Sequence, residues 1–297
     1  MLSKPNILVC TDFSPFSDDA LKAADKLREQ SGGTLSVLHV SEHPVIWDWL
    51  PREGSPISLD EEVEKELLSS LRKKIESQMA RCEVQGENHI SMGLPHQVIL
   101  EEINARNIDV VVMGHKGKTG GTFRIGSMAE KVISSSPIPV LIVKRKFEMN
   151  KVAALVDPTA PMEKILNWSE ELSFLLSAKL EVVSLFPDIA ARYIGIGKIG
   201  FSTELLSLDQ EQRSEVIREV EERIRTHLVP ESKAEIKVLI TAEKKLSYHM
   251  NSTLINDNVD MAIMKRHQAG FLEKILIGSE TRRMLEIFEG NLFILPP

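Results

Sequence analysis

The feature that most constrains the fold of this chain is an internal repeat. Asp12 follows a short apolar run and has a counterpart in Asp157, 145 positions further on. The pair 126–127, Gly-Ser, recurs as 278–279, at an offset of 152. Any α/β chain repeats strand–helix units, but that does not explain a Gly-Ser pair before a helix in both halves. The repeat therefore predicts two similar domains.

Short apolar runs separated by helical stretches indicate the fold of each repeat. In the first half, strands are predicted at 7–10, 35–40, 88–92, 110–113 and 140–143, and helices at 15–30, 59–80, 95–106 and 127–135. Nearly continuous apolar strands are typical of a parallel sheet that is covered on both faces. Alternating strands and helices predict an open α/β sheet in each half.

The offset between the halves also predicts the domain limits. We expect one domain at 1–146 and a second at 150–297, with the boundary in the charged stretch between two strands. Because the offset grows along the chain, the second half is expected to carry an insertion near 187–201. That stretch spells GxGxxG at 195–200 but follows no convincing strand, so we interpret it as a loop without a dinucleotide role.

Composition excludes several classes of function. A net charge of −7 argues against a general nucleic-acid binder, because such proteins usually carry a basic surplus. The two cysteines form no disulfide framework, and no stretch is apolar enough to span a membrane. The first residues lack the apolar core of a signal peptide. These observations predict a cytoplasmic protein.

The segment 113–127 is the most informative motif. It follows a predicted strand, leads into a helix, and contains several glycines, which let backbone N–H groups approach an anion. Lys116, Lys118 and Arg124 add positive charge, and Ser127 is expected to cap the helix. Val112 stands where a P-loop needs its first glycine, so this is not a Walker site. The position favours phosphate binding over a plain surface loop.

The loop resembles the signature of universal stress proteins, Gly-x2-Gly-x9-Gly-Ser/Thr. Gly114, Gly117, Gly126 and Ser127 match its fixed positions, although the second interval has eight residues here and not nine. The first strand with its aspartate, and the last strand of each half, also resemble that family. The resemblance covers nearly the whole chain, once per half.

This resemblance implies two tandem five-stranded parallel sheets, each in a Rossmann-like or flavodoxin-like three-layer sandwich. It also implies binding of ATP or a related nucleotide such as ADP or AMP. Mg²⁺ or Mn²⁺ would be carried on the phosphates. Thr11, Asp12 and Val40 would line the adenine and ribose end. Gly114, Gly117, Gly126, Ser127 and Met128 would hold the phosphates, and Met113, His115 and Lys118 complete the predicted set. Two alternatives stay open: Asp12 could instead cap the next helix, and His115 could either touch a phosphate or face solvent.

The second half departs from the motif. Lys265 stands where Gly114 stood and Gln268 where Gly117 stood, so the close backbone approach is lost at both points. We expect this half not to bind ATP in the standard way, although its basic residues 265–267 could still hold an anion. By family analogy, the two halves would pair through 140–143 and 292–295 as an internal pseudo-dimer, and two chains could associate further.

No strong catalytic set is present in the sequence. The leading hypothesis is a stress-response regulatory protein that binds adenine nucleotide in its first half and acts on an unidentified protein partner. A slow or partner-dependent ATPase that uses the same site is the first alternative. An interaction scaffold without a ligand is the second.

Overall fold

The computed structural model describes residues 4–42, 61–116, 126–187, 210–241, 246–266 and 279–297. The chain divides into two compact units, Leu2–Phe147 and Glu148–Pro297. In the first unit the elements follow in the order β1 (Asn6–Cys10), α1 (Pro15–Ser31), β2 (Thr34–Ser41), α2 (Glu61–Cys82), β3 (Glu87–Met92), α3 (Pro95–Ala105), β4 (Val110–Gly114), α4 (Ser127–Ser135) and β5 (Val140–Val143).

The second unit repeats this order within its described residues. Its elements are β6 (Lys151–Val156), α5 (Glu163–Leu175), β7 (Lys179–Pro187), α6 (Gln210–Arg225), β8 (Glu235–Thr241), α7 (Leu246–Asn256), β9 (Met261–Lys265), α8 (Ser279–Ile287) and β10 (Asn291–Leu295). The predicted insertion and its GxGxxG stretch at 195–200 lie outside the described residues.

Each unit contains a parallel sheet, which confirms the predicted α/β class. The strand order is β3-β2-β1-β4-β5 in the first unit. It is β8-β7-β6-β9-β10 in the second. In both units the second and third strands lie on one side of the first strand, and the fourth and fifth strands lie on its other side. The crevice at the carboxyl ends of β1 and β4, or of β6 and β9, is therefore a topological switch point, where open α/β sheets bind ligands.

Helix α1 shows how the sequence sets the local structure next to this crevice. Pro15 starts the helix, the Ser14 side chain caps it, and Gly32 ends it in the left-handed region at φ 66°. Its buried face includes Ala20 and Ala23. Because these side chains are small, the helix can lie close to the sheet, and this closeness decides which residue can end β4.

Candidate functional site

The described residues predicted to bind nucleotide gather at one edge of the first sheet. Cys10 pairs in parallel register with Leu38 of β2 and with Met113 of β4, so the chain leaves β1 level with both neighbours. Gly117 and Lys118 lie outside the described residues. The members that the structure brings to this edge or beside it are Thr11, Asp12, Val40, Met113, Gly114, His115, Gly126, Ser127 and Met128.

Thr11 is buried, and its hydroxyl group makes hydrogen bonds within the protein. Thr11 Oγ1 donates to Gln78 Oε1 at 2.7 Å and accepts from the backbone N–H of Phe13 at 3.0 Å. Its carbonyl oxygen lies 2.8 Å from His39 Nδ1. A hydroxyl has one proton to donate, and both of its acceptors here, Gln78 Oε1 and Ser17 Oγ at 3.1 Å, belong to the protein. Thr11 therefore shapes the edge by tying β1 to α2 and β2.

Asp12 forms the turn that leads into α1. Its Oδ1 accepts from the Ser14 backbone N–H at 3.0 Å, and Ser14 Oγ accepts in turn from the N–H of Ser17 at 3.3 Å. This geometry makes Asp12 part of the turn, whereas the residue that caps α1 is Ser14 and not Asp12. The same turn holds Asp12 at the carboxyl edge of the first sheet, and a carboxylate can accept several hydrogen bonds.

Gly114, the last residue of β4, has a packing reason to be glycine. A Cβ atom at this position would lie 2.8 Å from the carbonyl oxygen of Phe16 and 2.9 Å from its carbonyl carbon. Both are backbone atoms of α1, which cannot move aside as a side chain could. The sequence motif explained this glycine by phosphate approach alone, whereas the structure shows that the fold also requires it.

His115 follows β4 and is half-buried. Its backbone N–H donates to Val143 O at 3.1 Å, its Nδ1 lies 3.3 Å from the same oxygen, and its ring meets Phe16 edge-on at 4.6 Å between centroids. The pKa of His115 is lowered to about 4, mainly by burial and also by the charges of Lys116 and Lys144. The hydrogen bond to Val143 O acts in the opposite direction and raises this pKa. His115 is therefore neutral at pH 7 and adds no positive charge to the site.

The two ends of the glycine loop meet beside β4. The backbone N–H of Gly126 donates to His115 O at 2.8 Å, and Gly126 occupies the N-cap of α4 without a side-chain cap. The prediction that Ser127 caps this helix is wrong: Ser127 is its first residue and its side chain is exposed, because Gly126 is already fixed as the cap. The first N–H groups of α4 have no carbonyl partner within the helix, which favours an anion there.

Sequence analysis missed Gln78, which supports the edge from α2. Gln78 is buried at 2% exposure and its Nε2 donates to Asp18 Oδ1 at 2.6 Å, while Arg81 Nη2 lies 2.8 Å from the Asp18 carboxylate. Burial tends to raise the pKa of Asp18, but these hydrogen bonds hold it below its ordinary value. The available signal was a polar residue three positions after Ile75, on the apolar face of the helix, because a buried polar group needs partners.

The corresponding edge of the second unit has similar turn and backbone hydrogen bonds, but a different residue ends the strand. Asp157 Oδ1 accepts from the Thr159 backbone N–H at 2.8 Å, as Asp12 does for its own turn. The backbone N–H of Arg266 donates to Leu295 O at 2.9 Å, as that of His115 does to Val143. Lys265 ends β9 where Gly114 ends β4. The loop 267–278, with Gln268 and Gly278, lies outside the described residues.

The described part of the chain offers neither a metal cluster nor a membrane-spanning helix. Among those residues, no group of three or more histidine, cysteine, aspartate or glutamate side chains is placed to hold a metal ion. No helix among them is both long and apolar enough to cross a membrane.

With this geometry established, the chain can be compared with known proteins. The model of the universal stress protein family matches residues 5–144. Universal stress protein MJ0577 of Methanocaldococcus jannaschii is 30% identical over 153 residues, which cover 47% of this chain and 94% of that protein. Universal stress protein YxiE of Bacillus subtilis is 32% identical over 146 residues, which cover 46% of this chain and 97% of that protein.

The chain therefore belongs to the universal stress protein family. The fold likeness extends further than these sequence matches, which span about half of the chain. A universal stress protein from Archaeoglobus fulgidus DSM 4304 aligns with 99% of this chain and 98% of its own, with a TM-score of 0.68 and 14% sequence identity. At that identity the likeness concerns the fold alone.

Proposed function

We propose that the first half binds an adenine nucleotide, ATP or the related ADP or AMP, and that the protein acts as a regulator in the stress response. The observation that carries this proposal is the hydrogen bond from Gly126 N to His115 O, 2.8 Å long. It joins the two ends of the glycine loop beside the switch point of the sheet. The loop between them thus starts and ends where an anion would meet the N-terminus of α4.

Residues at this edge could interact with each part of the nucleotide: the phosphates, the base and the ribose. The N–H groups at the start of α4, together with the loop glycines such as Gly117, suit the phosphates. Lys116 and Lys118 supply positive charge, since His115 is neutral. Val40 and Met113 offer apolar surface to the base, and Asp12 is the carboxylate available to the ribose. Mg²⁺ or Mn²⁺ would be carried by the phosphates, whose oxygens are the ligands that such hard cations prefer.

Titration of the full-length protein with ATP, followed by calorimetry, tests this proposal. We expect one ATP per chain, and we expect Gly117→Gln, which copies the second half, to weaken binding by about 100-fold, equivalent to about 2.7 kcal/mol. The matched control is Gln268→Gly, which restores a glycine in the second half and should leave the stoichiometry at one. Unchanged affinity in Gly117→Gln would contradict the proposed site.

A regulatory role and an enzymatic role differ in what happens after binding. In a regulator, nucleotide occupancy changes the surface offered to a protein partner, and the bound ATP persists over many minutes. Phosphate release in single-turnover conditions measures this directly: rapid release that Gly117→Gln abolishes would favour the ATPase alternative. Pairing of the two halves through their last strands, and association of two chains, stay predictions.

A further inference from the structure

We propose that the second half holds a separate binding site for a small, uncharged apolar molecule that carries one polar group. The site is a cavity of about 300 Å³ at the carboxyl ends of β6 and β9, bounded also by α5, α7 and α8. All of its described lining residues belong to the second unit. The volume is at the lower end of the range for small-molecule sites, which indicates a compact ligand.

Four methionine residues contribute to the apolar wall of the cavity. Met162, Met250, Met264 and Met284 line it, each from a different segment of the unit. Met162, Met264 and Met284 are buried, with exposures of 2%, 7% and 2%. A thioether is apolar, adapts to the shape of its partner and makes favourable contacts with aromatic rings. This wall suits an apolar and preferably aromatic ligand body.

One buried polar group in the wall lacks a partner among the described residues. Thr281, in the first turn of α8, is only 1% exposed, and its Oγ1 makes no hydrogen bond to any residue that the structure describes. Burying a hydroxyl without a partner is unfavourable, so such groups are rare in folded proteins. Because Thr281 also lines the cavity, a ligand with one polar atom would supply the missing hydrogen bond.

The described residues that line the cavity include one cation and one anion, and this argues for an uncharged ligand. Lys265 is the cation in the lining and Asp157 the anion. Asp157 is exposed at the rim, and its Oδ1 already accepts from the Thr159 N–H and from Thr159 Oγ1 at 2.6 Å. Within this described lining neither sign of charge predominates. The cavity is therefore chemically distinct from the proposed nucleotide site.

Indole is a suitable probe, because it is flat, aromatic and uncharged and has one N–H group that can donate to Thr281 Oγ1. The full-length protein, labelled with ¹³C at its methionine methyl groups, would be titrated with indole and followed by NMR. We expect saturable shifts for Met162, Met250, Met264 and Met284, and none for Met113, the first-half counterpart of Met264. An excess of AMP should not displace indole. Absent shifts, equal shifts at Met113, or displacement by AMP would overturn the proposal.

Two variants sharpen this test. Thr281→Val should weaken indole binding about tenfold without lowering the melting temperature, because it removes an unpaired hydroxyl and keeps the shape. Met250→Trp should fill the cavity and abolish binding. The matched control is Thr253→Val in α7, whose Oγ1 bonds to His249 O at 3.1 Å and which does not line the cavity; its indole affinity should be unchanged. Full affinity in Thr281→Val would contradict the site.

Discussion

The carboxyl edges of the two sheets have the same strand order but differ in the length of the turn that follows the first strand. Between β1 and α1 the chain has the residues 11–14, whereas between β6 and α5 it has 157–162. After the shorter turn, Phe16 lies so close to β4 that a Cβ at Gly114 would meet its backbone at 2.8 Å. After the longer turn, the equivalent strand ends in Lys265, whose side chain lines a cavity.

A glycine in a binding motif can therefore serve the fold and the ligand at once. In the first unit, the close helix leaves room for glycine only, and the same residue exposes backbone at the proposed phosphate site. In the second unit, the longer turn occurs together with Lys265 at the end of β9. The edge could then acquire Lys265 and an apolar, methionine-lined space without any change in strand order.

The largest effect on stability is expected for Gly114→Ala. Its added Cβ must displace the Phe16 backbone, which should lower the free energy of unfolding of the first unit by about 3 kcal/mol. Urea-dependent hydrogen exchange of α1 and β4 amides measures this change within the unit. The reciprocal change, Lys265→Ala, should cost less than about 0.5 kcal/mol, because it only shortens a half-buried side chain. Equal costs would mean that the turn length does not explain the difference.

A smaller effect is expected for Thr11→Val. Valine keeps the shape but leaves Gln78 Oε1 without its 2.7 Å donor inside the protein, which should cost about 2 kcal/mol. The same hydrogen-exchange experiment follows it, with Thr11→Ser as the control that retains the hydroxyl. The corresponding position in the second unit is Val156, which needs no such partner. A loss as large in Thr11→Ser as in Thr11→Val would show that the methyl group matters and the hydrogen bond does not.

The smallest effect concerns pH. Because the pKa of His115 is lowered to about 4 in the folded protein, the unfolded chain takes up this proton first as the pH falls below about 6.5. Folding stability should therefore decrease between pH 6.5 and pH 4, by about 1 kcal/mol after allowance for solvent screening of a half-exposed ring. His115→Gln should remove this part of the pH dependence. An NMR titration giving His115 an ordinary pKa would refute the explanation.

Much of the fold could be predicted because its signals are local. Apolar runs predicted the strands within one or two residues, and α4 begins and ends at Ser127 and Ser135 as predicted. The repeat offset predicted a matching order of elements in the second half. These signals suffice because a strand buried on both faces needs apolar residues throughout, whatever its neighbours are.

The candidate site was less predictable because its properties arise from contacts between distant residues. The motif could not show that Gly114 meets the backbone of Phe16, nor that burial keeps His115 neutral. The capping prediction for Ser127 failed because the His115 carbonyl fixes Gly126 one position earlier. The cavity of the second half had no local signal at all, since its methionines come from four separate segments.

The central claim is that the first half, and not the second, holds an adenine nucleotide. It is tested most directly by denaturing the purified full-length protein and identifying any released nucleotide by mass, beside the Gly117→Gln variant prepared in parallel. We expect about one adenine nucleotide per chain, lost in Gly117→Gln. No released nucleotide together with no binding of added ATP, or an equal yield from Gly117→Gln, would contradict it.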